Sequence, residues 1–389
     1  MDAREQIVGN MEDYSAVRQM MEANLARMPT SDRVVLSKIW TLNTENPYKE
    51  EVLGILSTLT YRWGMASDDE YAQVKLETVR EAVEVLWTRA QKVETSKMFL
   101  DFESFEKVLF QSNAEYRGHY AHQFDVFLLG YYILNRILET NNPAAEKFKT
   151  STSPNFTWML ASTFHDMGYP IQQIDEWLSA FLKTFLKIDS RYSIEIERIL
   201  TPVFFDYLKF VSEEHYNRIA EPMTPSSVSP VKDWAFHSYL QEKLRRKDHG
   251  VVSSLLLIHS ILTQEKIAKS REWFFNTFPK EVLPACHAIA LHNLEDVPKS
   301  FGKCPYAYLL VLCDSIQDWQ RSLGATDYSE LKAITVDFSD NIPAIKAGLL
   351  INDVKKVDEL NKLSRGLETD GLIRVEIRQT NGEGKWTMS

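Results

Sequence analysis

Cysteine is scarce in this chain. Its three residues, Cys286, Cys304 and Cys313, form no CxxC pair. An odd, dispersed set excludes a disulfide framework and a thiolate metal cage, and it fits a reducing compartment. Long apolar runs are missing as well. The longest, around VFLLGYYIL, is too short to span a bilayer, and the N-terminal MDAREQIVGNMEDYSAV is charged, with no apolar signal core. There is no excess of positive charge: Lys+Arg 44 against Asp+Glu 54 leaves −10. That disfavours an extended nucleic-acid surface and allows only a local basic pocket. Internal repeats and low-complexity tracts are absent too. These absences describe a soluble, cytoplasmic protein with no membrane partner; an oligomer is left open.

What is present is mostly helical patterning. A chain of 389 residues has room for two or three domains. Residues 1–110 read as an N-terminal helical region with short polar breaks, such as NTENPYKEE, where Pro47 suits a helix start. Residues 111–325 form a helical body. Within it FDVFLLGYYILNRIL, Phe124 to Leu138, is apolar nearly all round and reads as a central buried helix, with ETNNPAAEK as the turn that follows. The proline-rich EPMTPSSVSP, Glu221 to Pro230, reads as a loop. Residues 326–389 change character. KAITVDFSD and LIRVEIRQT alternate like strands, DVKKVDELNKLSRGLE reads as a helix between them, and TNGEG before KWTMS is a hairpin signal. The fold class is therefore mainly α, with a small C-terminal α+β tail.

The chemistry gathers at FHDMGYP, Phe164 to Pro170. His165 and Asp166 end an apolar, helix-like run, and alone they read as a polar helix terminus before they read as a metal site. The remaining histidines add weight. His122 opens the buried helix, His249 opens HGVVSSLLLIHSIL, His292 closes ACHAIALH, and Asp314 interrupts AYLLVLCDSIQDWQR. An ionised Asp314 among Leu309, Leu310, Val311, Leu312 and Cys313 is costly to bury without a cation or a strong partner. One shared ion site explains the whole set.

The order His … His-Asp … His … His … Asp, over about residues 115 to 322, resembles the HD-domain superfamily of metal-dependent phosphohydrolases. HQFDV, DHGVVSSLLL and LLVLCDSIQDWQR match that family's flanking habits. The resemblance implies an HD-type helical bundle and two divalent transition metals. His122, His165, Asp166 and Asp314 would hold the first. His249 and His292 would hold the second, with Asp166 bridging both. Imidazole and carboxylate ligands without thiolate suit Fe, Mn, Zn, Co or Ni. A bridging hydroxide between two such cations is a nucleophile at neutral pH, and the cations offset phosphoryl charge. Gly168-Tyr169-Pro170 also matches three letters of the cyclic di-GMP-cleaving HD-GYP subfamily. There the letters lie downstream of the His-His motif, and a lysine stands where Tyr169 stands here, so the match is a coincidence. The structural reading of the tripeptide is a left-handed Gly168 ending one helix and Pro170 forbidding its continuation.

Several neighbours have a functional reading beside a plain one. His119, three residues before His122, shares its helical face and either contacts substrate phosphate or a water, or caps the helix. Arg117 is a phosphate anchor or a surface arginine. Lys247, in the basic run KLRRKDHG before His249, is a phosphate contact or part of a solvated face. Asp318 orients a metal-bound water or pairs with Arg321. His287, His215, His237 and His259 read as structural.

The function expected is hydrolysis of a nucleotide or another small phosphoester through a metal-bound hydroxide at a dinuclear site. Two other classes stay open: a di-iron oxygenase of the same superfamily, and a regulatory protein that binds a nucleotide without turnover.

Overall fold

The segment His119–Leu138 is apolar around its circumference, and such a helix holds only when other elements enclose it. In the computed structural model that enclosure is the organising feature. The structure describes residues 14–42, 49–67, 70–89, 102, 119–181, 184, 242–244, 248–263, 278–294, 297–317, 329–339 and 341–388. The N-terminal part supplies α1 (Tyr14–Leu25), α2 (Thr30–Ile39), α3 (Lys49–Met65) and α4 (Tyr71–Arg89). The body supplies α5 (His119–Leu138), α6 (Pro143–Phe148), α7 (Pro154–Phe164), α8 (Tyr169–Phe181), α9 (His249–Thr263) and α10 (Leu283–His292). It continues through a short strand β1 (Lys299–Ser300) into α11 (Pro305–Ile316). The tail is β2 (Ser329–Ser339), β3 (Ile342–Ile351), α12 (Val354–Gly366), β4 (Leu367–Glu368), β5 (Arg374–Gln379) and β6 (Lys385–Met388). The protein is thus mainly helical with a small C-terminal strand region.

Phe124, Leu129, Ile133, Leu134 and Ile137 of α5 are fully buried. Helix α7 lies against α5, α10 against α7, α9 and α11, and α11 closes back onto α5. The approach of α7 to α5 is unusually close. Trp158 Nε1 donates to Phe127 O at 3.0 Å, and the indole lies where a side chain at position 130 would be. Only glycine fits there: a Cβ on Gly130 would stand 1.9 Å from Trp158 Cζ2. The segment after α5 is more ordered than a turn. Asn142 caps α6, its side chain accepting from Ala145 N at 2.8 Å, and Pro143 opens the helix.

The tail sheet has the order β2-β3-β5-β6, with β2–β3 and β5–β6 antiparallel and β3–β5 parallel, α12 making the crossover. The two alternating strands and the final hairpin match the sequence pattern. Strand β3 has no such pattern. IPAIKAGLLI is uncharged at every position but Lys346, which is exposed, so the alternation of buried and less buried residues along the strand does not show in residue type. The sheet is also built into the body. Leu331 N donates to Ser31 Oγ at 3.0 Å, β2 packs on α2 and α5, and β1 pairs in parallel with β4. The loop EPMTPSSVSP lies outside the described residues.

The close crossing of α5 and α7 makes a sharp expectation. Gly130→Ala forces a methyl into a buried indole and should destabilise the fold by about 1–3 kcal/mol, at the upper end of that range. Thermal unfolding followed by circular dichroism measures it, and an unchanged midpoint would mean that the two helices part freely.

Candidate metal centre

Each candidate ligand comes from a helix end or from a position facing the bundle axis. His122 lies one turn into α5 and Asp314 near the end of α11, while His165 and Asp166 follow the last residue of α7. His249 is the first residue of α9 and His292 the last of α10. The structure brings all six together.

Asp166 is the centre of the arrangement. Its Oδ2 lies 2.7 Å from His119 Nδ1, 3.4 Å from His165 Nε2 and 3.9 Å from His122 Nε2. Its Oδ1 lies 3.5 Å from His249 Nε2 and 3.8 Å from His292 Nε2. Asp314 Oδ1 joins the first side, 2.8 Å from His122 Nε2 and 3.8 Å from His165 Nε2. Two ligand groups result, His122–His165–Asp166 and Asp166–His249–His292, in each of which the ligand atoms lie within 4.8 Å of one another. Asp166 belongs to both.

The outer nitrogens decide where the inner lone pairs point. His165 Nδ1 meets Ser162 O at 2.8 Å and His292 Nδ1 meets Ile289 O at 2.6 Å. His249 Nδ1 meets the Gln172 side-chain oxygen at 3.0 Å. All three partners are acceptors, so each Nδ1 carries the proton and donates it, and in the neutral ring Nε2 is a lone pair aimed inward. His249 Nε2 and His292 Nε2 then face each other at 3.2 Å, lone pair to lone pair. His165 Nε2 is buried with no hydrogen-bond partner. Nitrogens so placed repel one another, and the carboxylates behind them, unless a cation stands between. Imidazole and carboxylate donors at this spacing fit a borderline transition metal. The buried His/Asp cluster could therefore hold metal ions.

Electrostatics distinguishes the two sides. Burial opposes charge on Asp166, but the charges of His165 and His119, with the His119 hydrogen bond, hold its carboxyl well below the usual carboxylate range. Burial likewise opposes charge on Asp314, and His122 and His165 hold that carboxyl low. The Asp314 side chain keeps 30% exposure, so it is not sealed among its apolar helix neighbours and marks an open side of the site. Burial pulls His165 down, yet Asp166 and Asp314 outweigh it and raise its pKa. His249 goes the other way, pushed to about 4 by burial and by the charge of His292.

Two glycines allow these helices to meet. A Cβ at Gly250 would stand 2.7 Å from Ile289 O and 3.0 Å from His292 Cε1. At Gly168 it would stand 2.5 Å from His249 O. Gly168 does not have the left-handed backbone expected of a helix-ending glycine; among the described glycines only Gly371 has a positive φ. Its role is close approach, with its N–H donating to Ser253 Oγ at 2.7 Å. Nor does Pro170 stop a helix. It stands in the first turn of α8, where a missing N–H costs nothing.

Of the neighbouring candidates, His119 donates through Nδ1 to Asp166, and its ring lies 4.1 Å from that of Tyr169. Arg117, Lys247, Asp318 and Arg321 lie outside the described residues, as do His215 and His237. Sequence reasoning passed over Gln317, Asp125 and Gln172, although Gln317 follows Asp314, and Asp125 follows His122, by one helical turn. It also passed over Tyr169 as a residue lining the site. Comparison with protein-family models, curated proteins and solved structures gave no match. Among the described residues no helix is long and apolar enough to cross a membrane.

Protons compete with a metal for every imidazole of the cluster, so any metal the cluster binds should be released on acidification. Bound metal after dialysis at stepped pH measures this, and metal fully retained well below the histidine range would contradict imidazole ligation.

Proposed function

We propose that this chain is a metal-dependent phosphohydrolase of HD type, acting on a nucleotide or another small phosphoester at a dinuclear site. The observation that carries the reading is the Asp166 carboxylate, with one oxygen turned to His122 and His165 and the other to His249 and His292. A carboxylate spanning two imidazole groups is the arrangement a bridging ligand needs. Two divalent cations bound there would acidify water and offset phosphoryl charge.

The chain's own residues supply the rest. Asp314 closes the first ligand group and, being partly exposed, lies on the side from which a phosphoryl group can enter. His119, fixed by its hydrogen bond to Asp166 and by the Tyr169 ring, is placed to hold or pass a proton beside the reacting centre. Arg117 precedes His119 by two residues, and Lys247 ends a basic run two residues before His249; both are assigned to binding substrate phosphate. Asp318 is assigned to orienting a water.

The same ligands suit a di-iron oxygenase, so the test has to separate the two chemistries. Metal content of protein purified without added metal is measured first, then phosphatase and phosphodiesterase turnover over a nucleotide panel, for wild type and Asp166→Asn. Wild type should bind two metals per chain and hydrolyse a member of the panel. Asp166→Asn keeps the size but removes the bridging charge, and it should lose both metals and drop turnover by orders of magnitude while its circular dichroism stays native. A folded Asp166→Asn protein at the wild-type rate puts the chemistry elsewhere. Two irons, oxygen uptake and no hydrolysis replace the phosphohydrolase with the oxygenase.

A further inference from the structure

A buried polar chain runs from the N-terminal helices to the first metal ligand. Lys75 of α4 lies between two carboxylates, 2.9 Å from Asp32 Oδ1 of α2 and 2.8 Å from Asp125 Oδ2 of α5. Tyr71, one turn before Lys75, donates its hydroxyl to Asp32 Oδ2 at 2.7 Å. Gln317, just past α11, donates Nε2 to the same Asp125 Oδ2 at 3.1 Å, and its Oε1 meets His122 Nδ1. Lys75, Asp32, Asp125, Gln317 and His122 are all buried. Polar groups in such a place are costly unless every one is paired, and their donor and acceptor roles are then fixed by the chemistry of the ends.

Those roles can be worked out in one direction. Burial works against charge on Lys75, but Asp125 and Asp32 outweigh it and raise its pKa, so it is an ammonium, a donor only. Asp125 Oδ2 must therefore accept from Lys75, and no proton can sit on that oxygen facing the ammonium. Burial pushes Asp125 up to about 7, but a proton taken up there would reside on Oδ1, which has no hydrogen-bond partner. Oδ2 remains an acceptor in either state. The Gln317 atom facing it must be the amide nitrogen, which turns the amide oxygen to His122. His122 Nδ1 must then carry a proton; Nε2, 2.8 Å from Asp314 Oδ1, donates to that carboxylate when the ring is charged and turns a lone pair to the first ligand group when the ring is neutral.

We propose that Lys75, Asp125 and Gln317 are positioning residues of the metal centre, a relay in which a cation on the N-terminal helices sets the tautomer and ring orientation of His122. This rests on the metal-site reading for its consequence, but not for the tautomer. Outer partners of this kind typically change metal affinity by about 10- to 100-fold. The other three imidazoles are tied to carbonyl or amide oxygens of the body, so the relay acts on the first ion alone.

The test uses the full chain. Gln317→Met keeps the length and removes both hydrogen bonds. Asp125→Leu removes the acceptor that orients Gln317, whereas Asp125→Asn still offers Lys75 and Gln317 an amide oxygen. Two readouts apply: chelator competition for each metal, with zinc as probe, and the nitrogen-15 spectrum of the histidine rings in metal-free protein. Gln317→Met and Asp125→Leu should weaken the His122–His165 ion by about 10- to 100-fold, leave the His249–His292 ion unchanged, and abolish the protonated-Nδ1 signature of His122. Asp125→Asn should restore most of the affinity. If Gln317→Met is folded with both affinities and the His122 tautomer unchanged, the relay is wrong. An equal loss at both ions that follows a fall in melting temperature also overturns it, as a packing effect. Wild type that binds no zinc refutes the metal reading instead, and the ring spectrum then decides the relay by itself.

Discussion

The carboxylate of Asp166 faces two ways, and the imidazoles around it are held with their Nε2 atoms turned toward its two oxygens. An imidazole offers an inward lone pair only when its outer nitrogen has an acceptor. Helix ends provide such acceptors, because their last carbonyls have no intrahelical donor. His165 and His292 use that directly: each sits at the C-terminal end of its helix and donates to the carbonyl three residues back, Ser162 O and Ile289 O. The helices stop where they do in the service of ring orientation, and α7 and α10 arrive at the site in the same manner.

His249 and His122 are met instead by side-chain amides, those of Gln172 and Gln317. A side-chain amide can turn over, so its orientation must come from a further partner. For Gln317 that partner is Asp125, and behind Asp125 stands Lys75. A buried ion pair is weak evidence for stability, since desolvation offsets much of the attraction. In the relay proposed above its contribution is directional: a donor-only cation at one end sets the proton positions along the chain. By that route the N-terminal helices would bear on the candidate metal centre, although among the described residues they supply none of its ligand groups.

Much of this was legible in the sequence. The apolar circumference of His119–Leu138 announced the central helix, and the placing of His122, His165, Asp166, His249, His292 and Asp314 in or beside apolar helical runs announced a common site. Strand β3 was not legible, because its less buried face is also apolar except at Lys346, so residue type hides the alternation in burial. Gly168 was misread because the left-handed turn and the close helix crossing draw on the same property, the missing Cβ, and only the neighbouring His249 carbonyl tells them apart. Gln317 and Asp125 were passed over because the groups they pair with, His122 and Lys75, are distant in sequence. Their positions one turn from Asp314 and His122 were the available signal.

The bond from Leu331 N to Ser31 Oγ joins residues 300 positions apart. At synthesis rates of about 5–20 residues per second, the partner of Ser31 emerges about 15 to 60 s after it. Through that interval α2 can pack on α1 and α5 but lacks the strand that completes its surroundings. Closing a loop of that length adds an entropy cost that grows only logarithmically, so the delay is temporal more than thermodynamic. The nascent chain thus holds the β2-facing side of α2 uncovered for that interval. How long that side stays open is set by the pace of synthesis and not by the equilibrium stability of the finished fold.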